Sequence, residues 1–233
     1  MMPEGPEVRT LVDQLQGGVG RRLVDVRFVS GRYVSNGKPN GFAEFAATMT
    51  PPIAQAGDES VDIIQSWQAK GKFSYILLDQ GGKPNPFTGD PALEEDDFQR
   101  SIWITLGMTG KFVSEQVHAQ NSAHGRWYLE VLDVATGKKT KLHYHDTRNF
   151  GTLKFCLSKT ELEKKLDSLG ADILDPQSTT EKVYLQIVAR KRNPEMNICK
   201  FLMDQSVSEA VSHVWVTSRN DKFFVVVPYQ KML

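Results

Sequence analysis

The 233-residue chain is poor in cysteine, with only Cys156 and Cys199, so a disulfide framework is excluded as its main source of stability. Two thiols fit buried positions in a reducing compartment. Long hydrophobic runs are missing too: no stretch approaches the ~20 apolar residues of a membrane-spanning helix. The start has neither the basic nor the apolar region of a secretory signal. The expectation is a nuclear or cytoplasmic protein with no membrane segment. Nor is there an excess of charge of one sign, since 28 Lys plus Arg balance 28 Asp plus Glu. Global basicity therefore does not mark the chain as a nucleic-acid binder, but a local basic face would be enough. Two local concentrations exist, Lys138-Lys139-Thr140-Lys141 running on to Arg148, and Arg190-Lys191-Arg192. Either could equally be a solvated turn or helix end. No internal repeat is present.

The chain is long enough for one large or two small domains with a sizeable core. Pro6 and Glu7 suit the first turn of a helix. Val8, Leu11, Val12 and Leu15 follow at i, i+3, i+4 and i+7, which predicts a buried helical face. Residues 23–29 then alternate as a half-buried strand, with further strands expected at 61–66, 73–78, 101–106, 127–134, 140–145 and 152–156. Two polar or Gly/Pro-rich stretches interrupt them, residues 35–58 and Gln80 through Asp97, the second a surface insertion. Strands without intervening helices fit a mostly antiparallel β-sandwich. The composition changes near Leu157. Ser158-Lys-Thr-Glu161 and Ser178-Thr-Thr-Glu181 are capping-box patterns. Asn193-Pro194-Glu195 is a third helix start, with Ile198, Phe201 and Leu202 at helical spacing behind it. The fold class is α+β: a leading helix and β-sandwich over residues 1–157, then a helical module over 158–205. Residues 206–233 form an unassigned tail.

The string Met2-Pro3-Glu4-Gly5-Pro6-Glu7 carries the sharpest chemical signal. A proline nitrogen inside a peptide bond has no hydrogen to donate and little nucleophilicity. As a free terminus it would be a secondary amine, and α-amino groups titrate at about 7.7–8.0, leaving a usable unprotonated fraction at neutral pH. Attack by such an amine on a sugar carbon gives an iminium ion, as in Schiff-base lysine chemistry. The neighbouring Glu4 can move the accompanying proton. The plainer reading, a proline-bracketed helix start, is compatible with this, because a helix would present its first residues rigidly.

Met2-Pro-Glu-Gly-Pro-Glu-Val resembles the opening of the formamidopyrimidine-DNA glycosylase and endonuclease VIII family, with Gly5 closer to the endonuclease VIII side. Three further matches follow in the family's order. They are Lys72 in Gly71-Lys72-Phe73-Ser74-Tyr75, Leu106-Gly107-Met108-Thr109-Gly110, and Asp146-Thr147-Arg148-Asn149-Phe150-Gly151. Leu202-Met203-Asp204-Gln205 matches the family's helix–two-turns–helix module. The resemblance spans about residues 2 to 205 and implies a bifunctional DNA glycosylase/AP lyase that removes oxidised bases. It places Pro3 as the nucleophile, Glu4 as the general acid and Lys72 as an electrostatic clamp. Met108, Arg148 and Phe150 would enter the gap left by an everted nucleotide, although Met108 and Phe150 also suit a core. The implied partner is damaged double-stranded DNA, bound by a monomer.

The match ends at Gln205, where Ser206-Val-Ser-Glu-Ala-Val-Ser-His213 replaces the family's glycine-rich, asparagine-bearing segment. The family zinc finger has no four-cysteine equivalent here, so neither zinc nor any other cofactor is expected. A truncated or divergent gene end is the expected cause, and Phe223-Phe224-Val225-Val226-Val227 is an apolar run with strand propensity, an exposed edge where it lacks a partner sheet. His143 and His145, on one face of a strand, suggest metal ligands only weakly for want of a third. His124 is a weak candidate for a phosphate contact. Met1 ahead of Met2 would keep Pro3 acylated if both stayed. A non-catalytic protein that binds damaged DNA or abasic sites is the alternative reading. Pyrimidine or ring-opened lesions are the expected substrates.

Overall fold

The leading helix forms where the apolar spacing predicts it. In the computed structural model, which describes residues 5–49, 61–79 and 97–170 and the strands 215–219 and 222–226, α1 covers Gly5–Leu15 and buries Val8 and Val12. Eight strands follow. Four are β1 (Arg22–Phe28), β2 (Ile64–Lys70), β3 (Phe73–Leu78) and β4 (Phe98–Thr105). The others are β5 (Lys111–Ser114), β6 (Gly125–Asp133), β7 (Lys138–His145) and β8 (Thr152–Ser158). They make two four-stranded antiparallel sheets, ordered β1-β6-β7-β5 and β2-β3-β4-β8.

Alternation of side chains fixes which face of each sheet is buried. Leu23, Val26, Trp127, Leu129, Val131 and Tyr144 from the first sheet share a core with Ile64, Trp67, Ile76, Ile102, Ile104, Leu153 and Phe155 from the second. The α1 residues Val8 and Val12 close the same core. The opposite face of the second sheet, with Phe73, Tyr75, Trp103 and Cys156, packs against Leu162 of α5 (Lys159–Ser168). The first capping box forms in part: Ser158 Oγ accepts from Glu161 N at 3.0 Å, while the Glu161 carboxylate turns to Lys154 and to Cys156 Sγ.

Three short helices and one strand escape the sequence pattern. α2 (Arg32–Ser35) and α3 (Phe42–Thr48) lie within or beside the first polar stretch, and α3 buries Phe45 in the sandwich core. β5 and α4 (Glu115–Gln120) run directly into one another. The apolar run of the tail, expected to favour a strand, forms one: β10 (Lys222–Val226) pairs antiparallel with β9 (Trp215–Arg219). The expected helices after Ser178 and Asn193, the second basic cluster at 190–192 and the motif at 202–205 lie outside the described residues. Among the described residues no helix is long and apolar enough to cross a membrane.

Candidate nucleic-acid interface

Two loops at one end of the sandwich bring the motif residues together. The first, Leu106–Gly110, joins β4 to β5. Gly107 has φ +63°, and a Cβ there would sit 2.6 Å from Gly151 N and 2.7 Å from Phe150 C. Only glycine allows both the left-handed backbone and this approach to the second loop. The second loop, Asp146–Gly151, joins β7 to β8. Tyr144 lies beneath both, donating its hydroxyl to Leu106 O at 3.2 Å. Burial pushes the Tyr144 phenol well above its usual pKa, so it stays a neutral donor.

Asp146, 1% exposed, binds the loops to each other. One carboxylate oxygen accepts from Thr109 Oγ1 of the first loop and from Arg148 N at 3.2 Å. The other accepts from Gly151 N at 2.8 Å. Arg148 N also reaches Thr109 Oγ1 at 3.1 Å. Backbone amides given to a buried carboxylate are charge-assisted bonds, roughly twice as strong as neutral ones.

On this base the three candidate insertion residues stand outward. Phe150 is 55% exposed, so it is not a core residue. Arg148 is exposed, with Nη1 3.2 Å from Met108 Sδ, and Met108 is half-buried outside both hydrophobic clusters. Together they form an apolar wedge with one cation beside it.

Lys72 occupies the β2–β3 turn, after Gly71 at φ +58°. Strand register sets it near the loops: Phe73 pairs with Thr105, and Thr105 with Thr152. Lys72 therefore stands at the end of the second sheet where both loops leave it, half-buried and with Nζ shielded from solvent. α1 opens toward the same end, since Gln16 Nε2 donates to Trp67 O and Arg9 Nη1 to Ala69 O, farther along β2. Pro3 and Glu4 lie outside the described residues.

Other sequence candidates stand apart. Lys138–Lys141 and Arg148 do not make one basic patch. β7 separates Lys138 from the loop by roughly 25 Å, at about 3.3 Å per residue. Lys139 pairs with Glu130, and Lys141 with Glu115. His143 and His145 lie on the face of β7 turned away from the sandwich core but buried against α4, where a third histidine that sequence reading missed joins them. His118 of α4 stacks on His143, ring centroids 3.8 Å apart, and its Nδ1 lies 2.8 Å from His145 Nε2. Parallel rings cannot both aim their lone pairs at one ion, and no metal-holding group of three or more ligands occurs among the described residues. Burial, then neighbouring His118, pushes His143 down to about 4. His124 touches the site through its carbonyl, which accepts from Asp146 N at 2.9 Å. A four-cysteine zinc site does not fit a chain with two cysteines, one of them buried in β8.

A family model described as the formamidopyrimidine-DNA glycosylase N-terminal domain matches residues 2–153. The chain is 26% identical over 217 residues to a formamidopyrimidine-DNA glycosylase of Exiguobacterium sibiricum, covering 92% of this chain and 64% of that protein. With the Mycoplasma genitalium formamidopyrimidine-DNA glycosylase it shares 22% identity, covering 92% of this chain and 62% of the other. The chain thus spans less than two thirds of the length of these relatives. Among solved structures, a Lactococcus lactis enzyme bound to DNA containing an abasic site superposes with TM-score 0.60 at 19% identity. That match covers 90% of this chain and 64% of the other. The L. lactis enzyme bound to N7-benzyl-Fapy-dG DNA gives 0.59 at 20% identity, covering 88% and 62%. These likenesses establish the fold.

Proposed function

Because this chain belongs to the formamidopyrimidine-DNA glycosylase family, we propose that it is a DNA glycosylase/AP lyase of base excision repair. Its substrate is damaged double-stranded DNA, bound by a monomer, and its relatives' structures hold DNA with abasic or Fapy lesions. The observation that carries this reading is the outward Phe150, Arg148 and Met108 on two loops joined through buried Asp146. Extracting a base from the stack costs a few kcal/mol. An apolar wedge beside an arginine can fill the vacated space and recover part of that cost.

In the proposed reaction the free nitrogen of Pro3 bonds to C1′ as the damaged base departs with the glycosidic electron pair. Glu4 protonates the sugar ring oxygen while C1′–O4′ opens, and loss of the nitrogen's proton leaves an iminium ion. That ion acidifies C2′. Removal of a C2′ proton expels the 3′ phosphate, and a second elimination expels the 5′ phosphate. Lys72 stabilises phosphate or sugar charge electrostatically. None of these steps uses a metal or redox cofactor.

The test is borohydride trapping of the full chain on a duplex with one abasic site. Wild type is expected to form a covalent adduct that Pro3→Gly and Glu4→Gln lose, with intact mass placing Pro3 at the mature terminus. DNA binding without any adduct would instead identify a non-catalytic binder of damaged sites.

A further inference from the structure

The loop that carries Arg148 and Phe150 is gripped from two sides by opposite chemistry. Its amides are given to the Asp146 carboxylate, as described above. Its carbonyls are taken from outside by guanidinium groups. Arg126, the second residue of β6, donates Nε to Asp146 O at 2.7 Å and Nη2 to Thr147 O at 3.4 Å. Its Nη1 donates to Ser30 Oγ at 3.0 Å. Arg32 of α2 donates to the carbonyl of Asn149.

The turn after β1 is fitted to this arrangement. Val29 N and Ser30 N donate to Arg126 O at 2.8 and 3.2 Å, and Ser30 Oγ donates to Gly125 O at 2.6 Å. Gly31 has φ +77°, and a Cβ there would stand 2.8 Å from Asn149 Oδ1 and 3.1 Å from Arg126 Cδ. Asn149 is itself left-handed, with φ +55°, between the two outward side chains. A residue in that conformation needs its surroundings to hold it.

We propose that Arg126 is a positioning residue for the DNA-inserting loop, holding its carbonyl side so that Arg148 and Phe150 point outward before DNA arrives. The inference rests on the reading that these two side chains enter DNA. Three of the five N–H donors of Arg126 are committed to protein oxygens, two of them in the loop itself. A preorganised wedge avoids the ordering cost of a mobile one. Removing Arg126 takes a donor from the Asp146 carbonyl but none from its carboxylate, whose partners are Thr109, Arg148 and Gly151, so recognition of a gapped stack should suffer while general DNA affinity does not.

The experiment compares wild type with Arg126→Gln, Arg126→Lys and Phe150→Ala in the full chain. Each is titrated with two duplexes of one length, one intact and one carrying a tetrahydrofuran abasic analogue opposite 2-aminopurine. Wild type should prefer the abasic duplex and raise 2-aminopurine fluorescence by unstacking it. Arg126→Gln is expected to lose about tenfold in affinity for the abasic duplex and most of the fluorescence rise. Its affinity for intact DNA should change less than about twofold, the span of an unperturbed surface contact. Arg126→Lys, able to reach one carbonyl, should recover part of the signal. Wild-type behaviour of Arg126→Gln on both duplexes overturns the proposal, and so does equal loss on both, which marks a phosphate contact or a general folding defect. If wild type does not distinguish the duplexes and Phe150→Ala changes nothing, the insertion reading falls first and the positioning role falls with it.

Discussion

At the scale of single residues, Asp146 decides whether the motif is a site or a pair of loops. Its two oxygens accept from Thr109, Arg148 N and Gly151 N while the side chain is almost wholly buried. Asp146→Asn keeps the shape but replaces one acceptor with an amide that donates, setting it against another N–H. Hydrogen bonds to a charged group contribute about 1.5–3 kcal/mol each. Stability in urea unfolding is therefore expected to fall by about 2 kcal/mol, with loss of the preference for abasic DNA. An unchanged unfolding midpoint would show that the loops are held together by something else. Asp146 is legible in the sequence only as part of a motif, and its task is not, because two of its three partners are backbone amides and the third, Thr109, lies in another loop. Arg126 and Arg32 carry still less signal. Arg32 meets Asn149 across 117 residues of chain, a contact no local pattern encodes.

At the scale of elements, the strands were legible and the short pieces were not. Alternation located β1 to within a residue, because one of its faces is buried, and the apolar strand candidates at 73–78, 140–145 and 152–156 fall on β3, β7 and β8 to within a few residues. β5 has four residues, and α4 buries none of its own, so neither shows a period long enough to read. α4 is instead docked through His118, which lies against His143 and His145 of β7. The groups facing these rings from adjoining elements are Glu115 of α4, Lys141 of β7, Lys111 of β5, Arg126 and Tyr128 of β6, and His124 before β6. His143 is held neutral down to about 4, against an ordinary value of 6.5, chiefly by burial. A depressed histidine binds fewer protons folded than unfolded. The contribution is complete above pH 6.5 and is lost as the pH falls toward 4. Both ring nitrogens of His143 are buried without a hydrogen-bond partner. His143→Leu is therefore expected to flatten the decline in unfolding free energy between pH 7 and 4.5, at little cost at pH 7. A variant as acid-sensitive as wild type would place the titration elsewhere.

At the scale of the whole molecule, one buried cation ties together parts that are far apart in sequence. Arg100 of β4 pairs with Asp62, donates to the Asp79 carboxylate at 3.2 Å and to Thr48 O at 3.3 Å, and is 1% exposed. It thus joins the end of α3, the approach to β2, the end of β3 and β4. The Asp79 carboxyl is still raised, because desolvation outweighs the arginine beside it. Removing one partner of a buried pair leaves an uncompensated charge and typically costs about 3–5 kcal/mol. Arg100→Leu should therefore lose about that much by equilibrium unfolding, and a loss well under 1 kcal/mol would mean that the pair is hydrated. The chain's balanced charge concealed this network as it concealed the site, since composition does not tell an internal cation from a solvated one.

The shared carboxylate under the two loops also has a mechanical consequence. Thr109 Oγ1 and the Arg148 amide share one oxygen of Asp146 and the Gly151 amide takes the other, so Met108 and Phe150 are prongs of a single fork. Pressure on either prong is passed through one shared pin to its twin, so in the proposed reading both prongs would meet a base step in one motion.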